Sequence, residues 1–525
     1  MTSLTTLLEI LPEAQGLRIE DVPVISVTDH SGRVQEGAVF VAVRGGSADG
    51  HDYLDQVMAK NPAAIIAQSK GPADYQGLWI QVPDTRIVLG RLAARLAGDP
   101  ASSMVVIGVT GTNGKTTVTH FIHSLFEKAM VKTGMIGTIK IQDGSGLRDA
   151  THTTPGAVEM QSVLRTMKEN RCKAVAMETS SHGLEQGRCQ GITFNVGVFL
   201  NLTQDHLDYH KTMAAYFASK KILFEQMADE GRDGIAVINV DDPAGEKLAA
   251  EFADRLKVIT FGFSPKADFR ASDVRPSTLG QVFALEAKGK THFVRLPIVG
   301  RFNVMNALAA LAAVSATGMS LRDIIKFVGE TRQTPGRMEY VGGERISVFV
   351  DYAHTPDAVE KACETLSALN PNRLVTIFGC GGDRDRSKRP LMGAAAAKHS
   401  NICIVTSDNP RSEDPEAIIS EIVPGLGSVP HEIVLNRREA IELAIANSFP
   451  GDIVLIAGKG HETYQEANGG RIHFDDREVA RDALEKKRKL DEEEYLKRQA
   501  EREERDRKKG GNFGNDDRPD FRSDS

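Results

Sequence analysis

This 525-residue chain has no run of 18 apolar residues, and its five cysteines are scattered without a C-x-x-C pair. The first absence argues against a transmembrane helix, and the N-terminal segment lacks the basic region of a signal peptide. The cysteine pattern fits a reducing compartment and neither a disulfide framework nor a zinc site. Basic residues are outnumbered 64 to 71, which argues against a nucleic-acid-binding surface. We therefore expect a cytoplasmic protein with no membrane span and no nucleic-acid partner.

A glycine-rich turn, "GVTGTNGKTT" at 108–117, is the first positive signal. The apolar run before it predicts a buried parallel strand, and apolar residues at helical spacing after it predict a helix that begins near Lys115. Gly111 and Gly114 let the backbone approach a phosphate, Lys115 adds a positive charge, and the Thr116 hydroxyl can bind Mg²⁺. Val109 stands where the standard G-x-x-x-x-G-K spacing has glycine. The strand–turn–helix setting still predicts a phosphate site.

Strand and helix patterns alternate in two long stretches, which is typical of parallel α/β sheets. The first stretch runs from about 101 to 335 and the second begins near 340, with a Thr-Pro-Gly turn at 334–336 between them. Residues before 101 contain short strand-like runs and end in a helical pattern. We predict domains at 1–100, 101–338 and 339–480.

The C-terminal segment differs in composition from the rest of the chain. Within residues 481–509, 12 side chains are basic and 10 are acidic, with the signs interleaved. This pattern predicts a solvent-exposed single helix without a face to dock on the core. The glycine- and aspartate-rich stretch that follows is predicted to be disordered. Residues 481–525 are therefore interpreted as a solubilising tail, with a partner-binding arm as the alternative.

Two polar residues follow predicted strands in the first stretch. Glu178 directly follows the run "KAVAM", and His206 lies a few residues after the run "NVGVFL". Ligands of parallel α/β sheets bind outside the carboxyl ends of the strands, so both residues are expected near Thr116 as Mg²⁺ ligands. Lys220 is unusual because it lies in the middle of an apolar helical stripe, whereas Lys221 lies at its edge. A lysine there is either snorkelling to solvent or depressed in pKa.

Ten ordered motifs resemble the Mur ligase family over residues 20 to 476. They include "GVTGTNGKTT", "METSSHGLEQGR", "NLTQDHLDYH", "YFASKKILF", "DYAHTP", "SDNPRSEDP" and "AGKGHE". The resemblance implies an α/β protein of three domains: an N-terminal UDP-substrate domain, a central P-loop ATPase with a parallel sheet, and a C-terminal Rossmann-like domain. It also implies an ATP-dependent amide ligase that adds meso-diaminopimelate to the D-glutamate of a UDP-muramoyl dipeptide through an acyl phosphate.

The resemblance further implies roles for individual residues. Lys115, Lys220 and Arg337 are the implied catalytic residues, and Lys220 matches a lysine carbamylated by CO₂. The implied metal site for Mg²⁺ consists of Thr116, Glu178, His206 and the Lys220 carbamate. The implied ATP-binding residues are Gly111, Thr112, Asn113, Gly114, Lys115, Thr116, Thr117, Asn303 and Asp351. The implied positions for the UDP-muramoyl peptide are Ser31, Gly46, Ser47, Ala48, Thr153, Thr154, Ser180, Gln186 and Arg188.

The amino-acid site is implied at Arg389, Asp408, Asn409, Pro410, Arg411, Gly458 and Glu462. Arg411 can bind the extra carboxylate that distinguishes meso-diaminopimelate from L-lysine. One departure from the family concerns uridine, since His30-Ser31-Gly32 replaces the usual Asp-Ser-Arg. The expected partners are small-molecule substrates alone, bound by a monomer.

Four alternatives are considered. One is a catalytically inactive binding protein, against which the intact set of Lys115, Glu178, His206 and Lys220 argues. An L-lysine-adding ligase would share the same motifs. A folylpolyglutamate synthase shares the fold and the acyl-phosphate chemistry, but is not expected to carry "SDNPR" or "VFVAVRGGSADGH". A P-loop GTPase would need a guanine-specifying N-K-x-D, which is not found at a strand end.

Overall fold

The computed structural model describes residues 2–45, 48–231, 233–277, 279–331, 333–467 and 469–510. The chain forms two compact units, Met1–Met338 and Glu339–Ser525. The first unit contains two separate sheets. The predicted boundaries at residues 100 and 480 remain predictions, and the predicted disorder of 511–525 lies outside the described residues.

A four-stranded parallel sheet, in the order β1-β2-β3-β4, occupies the N-terminal part of the first unit. Its apolar strands are buried between helices, because short runs such as Ala38–Val41 are covered on both faces. The elements are α1 (Leu4–Leu8), β1 (Ser26–Thr28), β2 (Ala38–Val41), α2 (Leu54–Met58), β3 (Ala64–Ala67), β4 (Trp79–Gln81) and α3 (Thr85–Leu96).

An eleven-stranded sheet forms the rest of the first unit, in the order β15-β14-β13-β12-β11-β10-β5-β9-β6-β7-β8. Its strands are β5 (Val105–Thr110), β6 (Thr133–Ile136), β7 (Lys140–Gln142), β8 (Leu147–Asp149), β9 (Ala174–Glu178), β10 (Val196–Phe199), β11 (Ile235–Asn239), β12 (Lys257–Gly262), β13 (Phe269–Ser277), β14 (Gly280–Ala287) and β15 (Lys290–Leu296). Its helices are α4 (Lys115–Lys128), α5 (Ala157–Glu169), α6 (Ser181–Glu185), α7 (Leu207–His210), α8 (Met213–Asp229), α9 (Pro243–Phe252), α10 (Arg301–Ala316) and α11 (Leu321–Val328).

The centre of this sheet is parallel, as the alternation of strands and helices predicts, but both of its edges are antiparallel. Strands β7 and β8 extend one edge, and β14 and β15 extend the other. Parallel neighbours need a crossover of a dozen or more residues, and the short links in these regions allow only hairpins. Lys288 and Gly289 join β14 to β15 with φ of 51° and 73°, as a two-residue hairpin turn requires. The predicted parallel α/β sheet is therefore confirmed at its centre, and antiparallel strands extend it at both edges.

The second unit contains a six-stranded sheet in the order β16-β17-β21-β18-β19-β20 and a hairpin, β22–β23. Its core strands are buried and parallel, which fits their valine- and isoleucine-rich runs. The strands are β16 (Glu339–Gly342), β17 (Ser347–Asp351), β18 (Leu374–Phe378), β19 (Ile402–Val405), β20 (His431–Ile433), β21 (Ile453–Ala457), β22 (Tyr464–Ala467) and β23 (Gly470–His473). The helices are α12 (Pro356–Ser367), α13 (Lys388–Ala397), α14 (Pro415–Ile422), α15 (Arg437–Ala446) and α16 (Asp476–Gly510).

The charged C-terminal helix begins earlier than predicted and docks on the second unit. Ala480 and Ala483 of α16 are buried in the core, and Leu484 packs against it. At the start of the helix, Asp476 accepts two 2.7 Å hydrogen bonds from the buried Arg437 guanidinium. Beyond residue 489 the apolar side chains Leu490, Tyr495 and Leu496 are exposed. The predicted lack of a docking face is therefore wrong for the first three turns, where small and apolar residues share one side.

No helix of the described ranges has both the length and the apolar composition needed to cross a membrane. All five cysteines are present as free thiols.

Candidate active site

The carboxyl ends of three neighbouring strands form one edge of the large sheet. Strand β5 pairs in parallel with β9 on one side and β10 on the other, so that Val109 is level with Glu178 and Thr110 with Phe199. The glycine-rich turn, Glu178 and the segment that leads to His206 therefore leave the sheet side by side. The order of the strands in the sheet brings these three segments together.

The glycine-rich turn at 111–114 is held by its neighbours in space. Gly114 has φ of 91°, and a Cβ there would lie 2.5 Å from Asn306 Oδ1, so only glycine fits. The backbone N–H of Asn113 donates to Asn201 Oδ1 at 2.9 Å. Lys115 Nζ donates to the carbonyls of Gly111 and Thr112 at 2.8 and 2.9 Å. These hydrogen bonds hold the turn in place, and α4 begins immediately after it.

The buried carboxylate of Glu178 organises one side of this edge. It accepts hydrogen bonds from the Thr116 hydroxyl at 3.1 Å and from the backbone N–H and hydroxyl of Thr138 at 2.8 and 3.1 Å. Arg337 donates from Nη2 to the Thr116 hydroxyl at 3.4 Å. The sequence-predicted residues Thr116, Glu178 and Arg337 are therefore in contact through one hydroxyl group.

Lys220 lies on the other side of the same edge, and only 1% of it is exposed. Its amine is 4.1 Å from the centroid of the Tyr216 ring, and Tyr216 in turn donates a 3.2 Å hydrogen bond to Thr112 of the turn. Burial and the neighbouring Lys115 ammonium hold the pKa of Lys220 well below its usual range, and Asp205 opposes them. Burial also lowers the pKa of Lys115. The structure thus excludes the snorkelling alternative for Lys220.

His206 follows β10 in a left-handed conformation, with φ of 53°. Its Nε2 lies 3.5 Å from Asp205 Oδ2, and its ring is 5.0 Å from that of His182. Partial burial lowers the pKa of His206, although 47% of its side chain is exposed and Asp205 opposes the shift. His182 and the two nearby lysines add to the lowering. The imidazole is therefore neutral at physiological pH, which is the form that binds metals.

The donor chemistry of this edge fits Mg²⁺ at one position. Thr116 and Glu178 supply a hydroxyl and a carboxylate oxygen 3.1 Å apart, and oxygen is the ligand that Mg²⁺ prefers. Among the described residues, no three histidine, cysteine, aspartate or glutamate side chains lie together as a metal-binding group. A second metal would therefore depend on His206 and on modification of Lys220.

Five of the residues predicted for the UDP-muramoyl peptide form one hydrogen-bonded cluster beside Glu178. The Thr154 hydroxyl is 3.0 Å from the Ser180 hydroxyl, and the Thr138 and Thr153 hydroxyls are also 3.0 Å apart. Arg188 donates to the Thr154 carbonyl at 2.8 Å and to Gln186 Oε1 at 2.6 Å. The cluster thus connects Glu178, the candidate metal ligand, to α6 through a continuous set of polar side chains.

The N-terminal residues predicted for the same substrate are less completely described. The Ser31 carbonyl accepts a 2.7 Å hydrogen bond from Lys60 Nζ, and the Ala48 carbonyl accepts one from the Gly45 N–H at 2.9 Å. Gly46 and Ser47 lie outside the described residues. His51 donates to Asp49 at 2.6 Å, and its Nε2 accepts a hydrogen bond from the Gln68 N–H. These bonds link Asp49 to the residue that follows β3.

The two residues predicted for adenosine belong to different units. Asn303 is buried at the start of α10, where Nδ2 donates to the Val299 carbonyl at 2.8 Å and Oδ1 accepts from Asn306 at 3.0 Å. Asp351 is the last residue of β17 in the second unit. Their roles toward ATP remain predictions.

In the second unit, the segments after β19 and β21 bring several predicted amino-acid-binding residues together. Asn409 is buried, and its Nδ2 donates to Glu462 Oε2 at 3.0 Å. Gly458 has φ of 120°, and a Cβ there would lie 2.6 Å from Asp408 Oδ2. The Pro410 carbonyl approaches Gly382 so closely that a Cβ on that glycine would overlap it. We name this group, 408–411 with 458–462, the amino-acid pocket after the role that the resemblance predicts for it, which stays a prediction.

The two arginines predicted to bind substrate carboxylates already have partners in the protein. Arg411 donates to the Gly382 carbonyl at 2.7 Å and lies 3.7 Å from Glu466. Arg389 is buried and pairs with Glu413 and Glu421, each at 2.8 Å. Its Nε is also buried and makes no hydrogen bond within the described ranges. Most of the Arg389 guanidinium is thus engaged by these two glutamates, and its predicted role stays a prediction.

Comparison with known proteins places these features in a family. Residues 109–314 match the family model described as Mur ligase middle domain, and 336–460 match that described as Mur ligase, glutamate ligase domain. The UDP-N-acetylmuramoyl-L-alanyl-D-glutamate–2,6-diaminopimelate ligase of Syntrophomonas wolfei subsp. wolfei is 42% identical over 468 residues, which cover 88% of this chain and 95% of that protein. The chain belongs to the Mur ligase family.

Solved structures of other proteins agree with the α/β fold of this Mur ligase. A structure titled UDP-N-acetylmuramoyl-L-alanyl-D-glutamate–2,6-diaminopimelate ligase is 34% identical, with a TM-score of 0.69, and covers 91% of this chain and 98% of its own. A Mycobacterium tuberculosis folylpolyglutamate synthase is 21% identical, with a TM-score of 0.59, and covers 71% and 92% of the two chains. The second likeness concerns the fold alone.

Several residues of this Mur ligase site were not among the sequence predictions. Thr138 lies in a short segment that carries no motif, whereas Tyr216 had a signal as the first residue of "YFASKKILF". Asp205 had a signal, because it precedes His206 at a strand end. Lys459 also had one, because it stands inside "AGKGHE", and its Nζ donates to Asn409 Oδ1 at 2.9 Å.

Proposed function

We propose that this Mur ligase joins the amino group of meso-2,6-diaminopimelate to the D-glutamyl carboxylate of UDP-N-acetylmuramoyl-L-alanyl-D-glutamate, with cleavage of ATP to ADP and phosphate. The observation that carries the proposal is the cluster of Lys115, Thr116, Glu178 and Arg337 at the ends of β5 and β9. Similarity to relatives of that name over almost their whole length supports the choice of substrate.

The reaction requires activation of a carboxylate, which is a poor electrophile until it carries a leaving group. Attack of the carboxylate on the γ-phosphorus of ATP forms an acyl phosphate and releases ADP. The amine of the amino acid then attacks the acyl carbon, the C–O bond to phosphate breaks, and the amine loses a proton. Both steps bring anions together, so cationic groups at the site are the main requirement.

The glycine-rich turn and its surroundings supply those cationic groups. The backbone N–H groups in the first turn of α4, at Lys115 to Thr117, favour the phosphates of ATP. Lys115 and Arg337 add two positive charges, and Arg337 contacts the Thr116 hydroxyl. We assign adenosine to Asn303 and Asp351 on the resemblance to the family.

Thr116 and Glu178 would hold Mg²⁺, which when bound offsets the negative charge of the phosphate oxygens. His206 and a carbamate on Lys220 are proposed for a second ion. Carbamylation forms a bond between the Lys220 nitrogen and the carbon of CO₂ with loss of a proton, and only a neutral amine can attack. The lowered pKa of Lys220, caused by burial and by Lys115, supports this modification.

The remaining substrates are assigned to the polar clusters described above. The muramoyl dipeptide is assigned to the group around Thr154, Ser180 and Arg188, with Ser31 and residues 46–48 for the uridine end. The amino acid is assigned to the amino-acid pocket, with Arg389 nearby. There, the Arg411 guanidinium would bind the distal carboxylate and Glu462 the distal ammonium. We also propose that the protein acts as a monomer in the cytoplasm.

Phosphate release tests this proposal directly. We expect release from ATP only when the UDP-muramoyl dipeptide and an amino acid are both present, with meso-diaminopimelate used far better than L-lysine or L-ornithine. L-Lysine brings an uncompensated cation to Arg411, so it meets repulsion and leaves the guanidinium unpaired. Equal or better use of L-lysine would contradict the assignment, and turnover with a folate substrate in place of the dipeptide would favour the synthase alternative.

A further inference from the structure

Lys459 is a wholly buried lysine inside the amino-acid pocket. It follows β21, and its side chain has no exposed surface. Nζ donates to Asn409 Oδ1 at 2.9 Å and to Glu462 Oε2 at 3.1 Å. Its only two hydrogen-bond acceptors in the described residues are thus side chains that the proposed function assigns to the amino acid.

Burial of a lysine is costly unless an anion and hydrogen bonds compensate for the lost water. Glu462 Oε2 accepts hydrogen bonds from both the Asn409 amide and the Lys459 ammonium, so this oxygen is fully engaged. The lysine therefore does two things: it orients the Glu462 carboxylate, and it offsets the negative charge of that carboxylate.

The charge of Lys459 acts differently on different amino acids. The distal end of meso-diaminopimelate carries both an ammonium and a carboxylate, whereas the distal end of L-lysine carries an ammonium alone. Because Lys459 offsets the charge of Glu462, the pocket attracts a bare distal ammonium only weakly, whereas the distal carboxylate of meso-diaminopimelate still has Arg411 to bind. We propose that Lys459 is a specificity-determining residue, which selects amino acids whose distal end is zwitterionic against those whose distal end is a bare cation. This inference rests on the proposed function.

The test is the substitution Lys459→Met, which keeps the length of the side chain and removes its charge. We expect the ratio of kcat/KM for meso-diaminopimelate to kcat/KM for L-lysine to fall about tenfold or more. The KM for ATP should change by less than about twofold, because the lysine contacts no residue assigned to ATP. Phosphate release with each amino acid measures both quantities.

Two further variants separate charge from structure. In Lys459→Met/Glu462→Gln the net charge of the unmutated pocket is restored, so the ratio should move back from its value in the single variant, even though overall activity is low. Lys398→Met, which removes an exposed lysine paired with Glu360, is the matched control and should leave the ratio unchanged. If Lys459→Met does not fold, Lys459→Gln keeps a hydrogen-bonding group at the same position.

The possible outcomes are distinct. An equal loss of activity with both amino acids, at an unchanged ratio, would make Lys459 merely structural and overturn the inference. An unmutated chain that uses neither amino acid would refute the proposed function instead. In that case, calorimetric binding of meso-diaminopimelate and L-lysine to the unmutated and Lys459→Met proteins still decides the inference, since an unchanged affinity ratio would contradict it.

Discussion

At the scale of single residues, Lys220 shows how position in a helix controls chemistry. It occupies the apolar stripe of α8 between Tyr216 and Leu223, so the fold buries its amine beside Lys115. Lys221, one residue later, reaches the edge and pairs with Glu225 and Glu251. Lys220 and Lys221 are thus separated by a rotation of about 100° around the helix. That rotation is enough to bury the first lysine and lower its pKa while the second forms ordinary surface ion pairs.

We expect Lys220→Ala to abolish ligation, because the variant cannot form the carbamate proposed as a metal ligand. Added bicarbonate should not restore activity, whereas a short carboxylic acid should restore part of it by occupying the space of the carbamate. The rate of phosphate release measures both effects.

Lys221→Ala is the matched control for this experiment. It removes an exposed ion pair and should cost less than about 1 kcal/mol of stability with little change in rate. Near-normal turnover of Lys220→Ala would show that the carbamate assignment is wrong.

At the scale of elements, α16 combines two different parts in one continuous helix. Its first three turns bury Val479, Ala480 and Ala483 against the sheet of the second unit. Lys487 also donates from Nζ to the Ala446 carbonyl at 3.1 Å. The charge-rich composition hides this docking face, because the apolar residues that form it are small and few.

Truncation should separate the two parts of α16. A chain that ends at Lys489 should retain its melting temperature and its rate, since Leu490 and residues 492–506, for which burial is described, are exposed. A chain that ends at Ala480 loses Ala483 and Leu484 from the core, and we expect it to be less stable by roughly 1–3 kcal/mol. Thermal unfolding measures the difference, and equal melting temperatures for the two truncations would mean that the docked turns contribute nothing.

At the scale of the whole molecule, a largely buried histidine makes the fold sensitive to acid. Burial lowers the pKa of His120 to about 4, with contributions from His123 and Arg337. In the unfolded chain this group binds a proton near pH 6.5. Between pH 6.5 and 4 the unfolded state therefore holds more protons, and stability falls as the pH falls through this range.

The substitution His120→Gln tests this acid sensitivity. It removes one titrating group on α4, outside the residues assigned to substrates. We expect the stability advantage of the unmutated protein over the variant to shrink as the pH falls from 7 to 4.5, by roughly 2–3 kcal/mol at most. Melting temperatures across this range measure the change, with His431→Gln, at an exposed histidine, as the control. A gap that does not vary with pH would contradict the assignment.

Much of the fold and the site follows from local sequence pattern. The glycine turn, the strand before it and the helix that begins at Lys115 could be predicted because each depends on a few neighbouring residues. The apolar stripe around Lys220 and the polar residues at strand ends were readable for the same reason. The resemblance to the Mur ligases added the substrates, which no periodicity contains.

Only the tertiary structure decided which of these pieces meet. The contact of Thr116 with Glu178 depends on β5 and β9 being neighbours, although 62 residues separate the two side chains. The antiparallel edges of the large sheet, the pairing of Arg389 with two glutamates and the burial of Lys459 against Asn409 and Glu462 also depend on distant segments. Local pattern determines which residues form an element and which face is apolar. The partners of a buried charge are set by tertiary packing. Burial removes water, so the charge interacts with whichever group, distant in the sequence, lies opposite it.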